Sequence, residues 1–126
     1  MKNRLFPAIF IASAAALMAP LSHAESILKT MDGVLVTTAG RTIYTFDNDP
    51  SGGGKSVCNG PCAALWPAVM AGANAKPEGD LTVIARDEGA KQWAYKGKPI
   101  YLYSADTKEG DRSGDNFKNV WHVVKP

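Results

Sequence analysis

The feature that most restricts how this chain folds is a hairpin written twice. Gly40, Ile43, Tyr44, Phe46 and Asp49 recur 57 residues later as Gly97, Ile100, Tyr101, Tyr103 and Asp106. The same offset sets Trp93 against Val36 and Tyr95 against Thr38. Trp66 is answered by Trp121 at an offset of 55, with Val69 and Val124 beyond them. Upstream, residues 27–33 resemble 84–89 with a one-residue gap. Each unit therefore reads as a strand, a hairpin, a polar glycine-bearing loop and a Trp-led segment. Two copies are too few for a solenoid, which needs at least three to bury its faces. The expectation is a single domain, 25–126, with pseudo-twofold symmetry. Its repeats lie at about 25–70 and 81–126, joined by a Gly/Ala/Pro linker.

The local patterns are those of short strands. Residues 34–38 and 42–46 are β-branched and aromatic around Gly40, and 92–95 and 99–103 flank Lys96-Gly97-Lys98; both predict hairpins. Further strands are expected at 81–85 and 119–124. Pro61 suits a first helical position and Pro67 a stop, so 61–66 is the one helix candidate. The predicted fold is all-β and mostly antiparallel, with six to eight short strands and one short helix after the cysteine loop. Strand alternation puts Tyr44 with Phe46, and Tyr101 with Tyr103, on one face. Ile43, Ile100 and Leu102 take the other, so both faces are apolar, as in a strand covered on both sides. Asp49 and Asp106 stand where the chain leaves each strand. There an Asp accepts backbone N–H groups or takes a tyrosine hydroxyl.

The first 24 residues are set apart from this pattern. Lys2 and Arg4 precede an apolar run, and Ser22-His23-Ala24 has the small residues that signal peptidase favours. A cleaved signal peptide over 1–24 is expected. Its removal leaves 102 residues with twelve basic and twelve acidic side chains. That balance offers no electrostatic footprint for nucleic acid. Both cysteines, Cys58 and Cys62, fall in the exported part, where a disulfide is the default. A loop so short stabilises by only about 2 kcal/mol in the chain-entropy picture.

Tyr44-x-Phe46-x-x-Asp49 and Tyr101-x-Tyr103-x-x-Asp106 both match Y-x-[FWY]-x-x-D. The chain thereby resembles the family of predicted bacterial lipoproteins and secreted repeats of unknown function defined by that motif. Cys58-Asn-Gly-Pro-Cys62-Ala-Ala-Leu-Trp66-Pro67 is similar to the family's second signature, C-x-G-x-C-A-x-x-W-P. The resemblance implies a small exported envelope domain and carries over no catalytic or ligand-binding residue. Unlike the lipidated members, this sequence has Glu25 where the acylated Cys stands. A periplasmic or secreted protein with no membrane anchor after signal cleavage is the expectation.

The chemistry candidates are few. His122 is the only histidine after residue 24, so no histidine cluster for zinc or copper is available. Cys58 and Cys62 carry a three-residue spacer, whereas redox catalysts favour two, and no βαβ pattern surrounds them. Residues 47–52 imitate the start of a calcium loop, but Cys58 falls where the bidentate Glu belongs. Gly54-Lys55-Ser56 echoes a P-loop, with Asp49 where its first Gly is required. The aromatic set carries more weight: Tyr44, Phe46, Trp66, Tyr101, Tyr103 and Trp121 occupy repeat positions, as a shared core or as the lining of a groove. The reading is a non-enzymatic exported binding or interaction module for a small ligand or envelope protein, with no cofactor. The alternative is a redox or metal-handling accessory protein using Cys58 and Cys62.

Overall fold

The computed structural model describes residues 27–126; the expected signal peptide lies outside them. In chain order the elements are β1 (Leu28–Met31), β2 (Val34–Thr37), β3 (Tyr44–Phe46), α1 (Pro61–Leu65), β4 (Met70–Ala71), β5 (Leu81–Ala85), β6 (Lys91–Tyr95), β7 (Lys98–Pro99) and β8 (Trp121–Val123). A 3₁₀ turn, Phe117–Asn119, precedes β8 as α1 precedes Trp66. Every pairing among these strands is antiparallel, so the all-β expectation holds. Two tight turns carry positive φ at both central residues, Asp32-Gly33 and Lys96-Gly97. That is the backbone which matches the twist of a two-residue hairpin.

The predicted hairpins are realised only at their turns. Around Gly40, β2 meets the following chain at the Val36–Thr42 bridge, flanked by Thr37 N–H to Arg41 and Ile43 N–H to Leu35. Residues 44–46 then leave and pair with β8, Tyr44 opposite Val123 and Phe46 opposite Trp121. The second hairpin behaves alike. Beyond Ala94–Pro99, Tyr101 bridges Ala68 and Tyr44, while Leu102 and Ser104 donate to Pro67 and Leu65. Leaving the hairpin lays Phe46 on Trp121 and Tyr103 on Trp66, each a ring of the opposite repeat.

Each repeat is thus completed by the other. Tyr44 and Tyr101 exchange both backbone hydrogen bonds, 2.8 and 2.9 Å, and this pair lies on the pseudo-twofold axis. Leu35 donates to Val124 and Trp93 to Val69. These bonds align Trp93 with Leu35, correcting the expected match to Val36: the first turn holds one residue more than the second. Gly52 donates to Gly97 and Gly110 to Gly40. The glycines at 40 and 97 are required twice over. Both have φ near +85°, and a Cβ would lie 2.7 Å from Glu109 at Gly40 and 3.3 Å from Gly52 at Gly97.

Side-chain alternation builds a core on each face of the motif strands. On one lie Leu35, Ile43, Val69, Leu81 and Ile100. On the other, Tyr44, Cys58, Trp66, Tyr101, Tyr103 and Trp121 are buried, with Phe46 and Phe117 against them. Four of these rings form one stack in which the repeats alternate. Phe46 lies on Trp121 at 4.2 Å, Trp121 on Trp66 at 3.9 Å, and Trp66 on Tyr103 at 4.1 Å between centroids. Tyr44 meets Trp66 and Tyr101 meets Trp121 edge-on. Such pairs contribute about 0.5–1.5 kcal/mol each beyond their area. Gly114 closes the stack: a Cβ there would stand 2.7 Å from Trp66 and 3.0 Å from Tyr103. Trp66→Ala is therefore expected to cost about 3–5 kcal/mol in urea unfolding, and Gly114→Ala about 1–3 kcal/mol by overpacking the same rings. A Gly114→Ala protein as stable as the parent would contradict this packing.

Candidate functional site

The motif residues converge at the centre, and they do so across the repeats. The Tyr44 hydroxyl donates to Asp106 Oδ2 at 2.6 Å, and the Tyr101 hydroxyl donates to Asp49 Oδ2 at 2.5 Å. All four groups are buried, both tyrosines completely. The second oxygen of each carboxylate organises its own loop. Asp49 Oδ1 accepts the Val57 N–H at 2.7 Å, and Asp106 Oδ1 accepts the Ser113 N–H at 3.0 Å. The aspartates thus perform both roles foreseen for them, although the backbone N–H groups come from seven or eight residues downstream. Burial first, then the hydrogen-bonded carboxylates, push both phenols well above their ordinary range. Burial also raises the Asp49 carboxyl, against the pull of the Tyr101 hydroxyl and the Val57 N–H.

Around Asp49 the network continues outward. Ser56 Oγ lies 2.6 Å from the Tyr101 oxygen; since the phenol proton goes to Asp49, Ser56 is the donor. Ser56 Oγ in turn accepts from Cys58 N–H and Arg86. Arg86, only 6% exposed, spends its guanidinium on Glu88, Ser56, Gln92, the Cys58 carbonyl and Asn59 Oδ1. Gln92 passes the chain on to the Ile100 carbonyl. Cys58 and Cys62 are bridged, with Cα atoms 5.2 Å apart. This loop and the β5–β6 turn enclose an open groove of about 490 Å³, lined by Asn59, Gly60, Ala63, Arg86, Asp87 and Glu88. Sequence reasoning missed Ser56, Arg86 and Gln92. The available signal was Gln92, which stands in an apolar strand where the first repeat has Val34.

In the second repeat the polar side chains of the corresponding loop tie it to itself and to the β1–β2 turn. Arg112 caps the β1–β2 turn through the carbonyls of Met31 and Asp32, and Asp111 accepts two N–H groups of its own loop. His122 contacts Asp47 and Asn116 at the surface. The calcium-like stretch is committed elsewhere, Asp49 to Tyr101 and Val57, Asp47 to His122. Among the described residues no three His, Cys, Asp or Glu side chains stand together to hold a metal ion.

The buried phenols set an alkaline limit on the fold. Their folded pKa values exceed the unfolded value of about 10, so their contribution is complete below pH 10 and is lost as pH rises above it, the unfolded chain then binding fewer protons. Urea unfolding between pH 8 and 11.5 should show stability falling with a limiting slope near two protons. Tyr101→Phe should lower that slope by about one and cost about 1.5–3 kcal/mol at pH 8. A slope unchanged by the substitution would contradict the buried Tyr101–Asp49 bond.

Comparison with known proteins agrees with the duplication. A family described as a secreted repeat of unknown function matches the chain twice, at residues 26–70 and 82–125. No curated protein and no solved structure matches it. The paired matches span most of the sequence, and the chain belongs to this family of secreted repeats of unknown function.

Proposed function

We propose that this is an exported binding module, acting in the periplasm or outside the cell, whose recognition surface is the groove between the disulfide loop and the β5–β6 turn. The observation that carries this reading is the division of labour between core and surface. Tyr44, Tyr101, Asp49 and Asp106 are buried and bond across the repeats, and Trp66 and Trp121 are buried face to face, so the duplicated motif is committed to the core. The symmetry breaks at the first loop, where a disulfide and a buried arginine hold a short helix against an exposed turn. Asn59, Gly60, Asp87 and Glu88 are exposed there beside a fixed backbone. A preorganised concave site with a few polar groups suits a small polar ligand or a loop of an envelope protein.

The competing redox reading is less well supported. Cys58 is fully buried in the aromatic cluster, and Arg86 holds its carbonyl at 2.7 Å, so the bridge shapes the loop. One experiment weighs both. A photo-crosslinking residue is placed at Asn59, and a second at the distant Lys125, in cells that export the protein; the adducts are read by intact mass. A discrete adduct at Asn59 and none at Lys125, retained when Cys58 and Cys62 are both replaced by Ser, is the expected outcome. Equal labelling at the two positions, or none, would overturn the groove as the recognition surface. Loss of the adduct in the Ser variant with the fold intact would favour the thiol reading.

A further inference from the structure

The way the repeats complete one another points to a partner. The contacts that close the fold run from one repeat to the other: Tyr44 with Asp106, Tyr101 with Asp49, β3 with β8, Trp66 with Trp121 and Tyr103, Leu35 with Val124 and Trp93 with Val69. A repeat alone would expose half of a ring stack, a buried carboxylate without its phenol, and unpaired strand edges. The covalent link between the repeats is residues 72–80, all exposed except the half-buried Ala75. The molecule is in effect two complementary halves on a short tether.

We propose that each repeat is a docking surface for the complementary repeat of a second copy of this chain, so that two chains exchange repeats and rebuild the same fold twice. Nothing in the interface distinguishes a repeat on the same chain from one on another. The tether alone chooses, through its effective concentration, on the order of millimolar for a short flexible linker. Its geometry also sets the limit. β4 and β5 flank β6 in one sheet, with Ala71 opposite Lys91 and Leu81 opposite Tyr95. Two strand spacings across and four residues along place the ends of the tether roughly 16 Å apart. Nine residues cross that easily. A single residue spans at most about 7 Å.

The test is a full chain lacking residues 72–79, which leaves Asp80 alone between β4 and β5. Light scattering should give twice the mass of the parent, with the near-ultraviolet dichroism of the stacked tryptophans retained. A folded monomer would overturn the proposal. Should the deletion fail to fold, the parent chain carrying a protease site between Lys76 and Pro77 decides the matter. After cleavage the halves should stay together, refold from urea into one particle, and show a midpoint that rises with protein concentration. Halves that separate under native conditions, or fail to regain the dichroism when mixed, would overturn it. Refolding two differently tagged parent chains together near millimolar concentration should yield mixed dimers, and exclusively unmixed monomers would contradict exchange.

Discussion

Two buried phenols, each donating a hydrogen bond to the carboxylate of the other repeat, are the constraint on which the rest of this structure depends. A buried carboxylate is costly without strong hydrogen bonds, and a buried phenol needs an acceptor. Each repeat holds one of each, placed so that the need of one is met by the other. The aspartates also hold the ends of their own loops through Val57 and Ser113. Loop conformation, strand pairing and the contact between repeats are thereby tied to the same four side chains.

The ring stack extends that logic from hydrogen bonds to packing. Phe46, Trp121, Trp66 and Tyr103 alternate between the repeats, so neither half has a finished aromatic core. The duplicated turns repeat the device in backbone. Gly40 and Gly97 accept the loops of the opposite repeat, and Arg41 and Lys98 reach across to the carbonyls of Tyr103 and Phe46. Symmetry governs the centre. Departures from it lie around the first loop, which carries a disulfide and a helix and is held by the buried Arg86 of the β5–β6 turn, beside the exposed groove.

Much of this was legible in the sequence, for identifiable reasons. Period-two alternation at Ile43-Tyr44-x-Phe46 announced a strand with two apolar faces, and the structure places a core on each. Pro61 and Pro67 bracketed the helix, which ends at Leu65. What sequence could not express is which copy serves which. Tyr44 is closer in sequence to Asp49 than to Asp106, and a duplicated motif looks the same whether its partners lie within the repeat or across it. The hairpins predicted over 34–46 and 92–103 failed beyond their turns for that reason, since strand propensity at Tyr44 or Tyr101 does not name a pairing partner. Arg86 escaped notice because a charged residue beside Asp87 and Glu88 reads as solvated turn. Its burial follows from Gln92, Ser56 and the Cys58 carbonyl, three acceptors scattered along the chain.

Native-state hydrogen exchange reaches the central claim most directly. The amides of Tyr44 and Tyr101 bond to each other's carbonyls, while those of Leu35 and Trp93 bond to Val124 and Val69 of the opposite repeat. If neither repeat holds together without the other, these four amides open only by global unfolding and share one free energy across a urea series. The Ile43 and Ile100 amides bond within their own repeats, to Leu35 and Trp93, and should share that same free energy; protection of one of them at a higher free energy than the other and than the four shared amides would mean that one repeat survives alone and would contradict the interlocked fold.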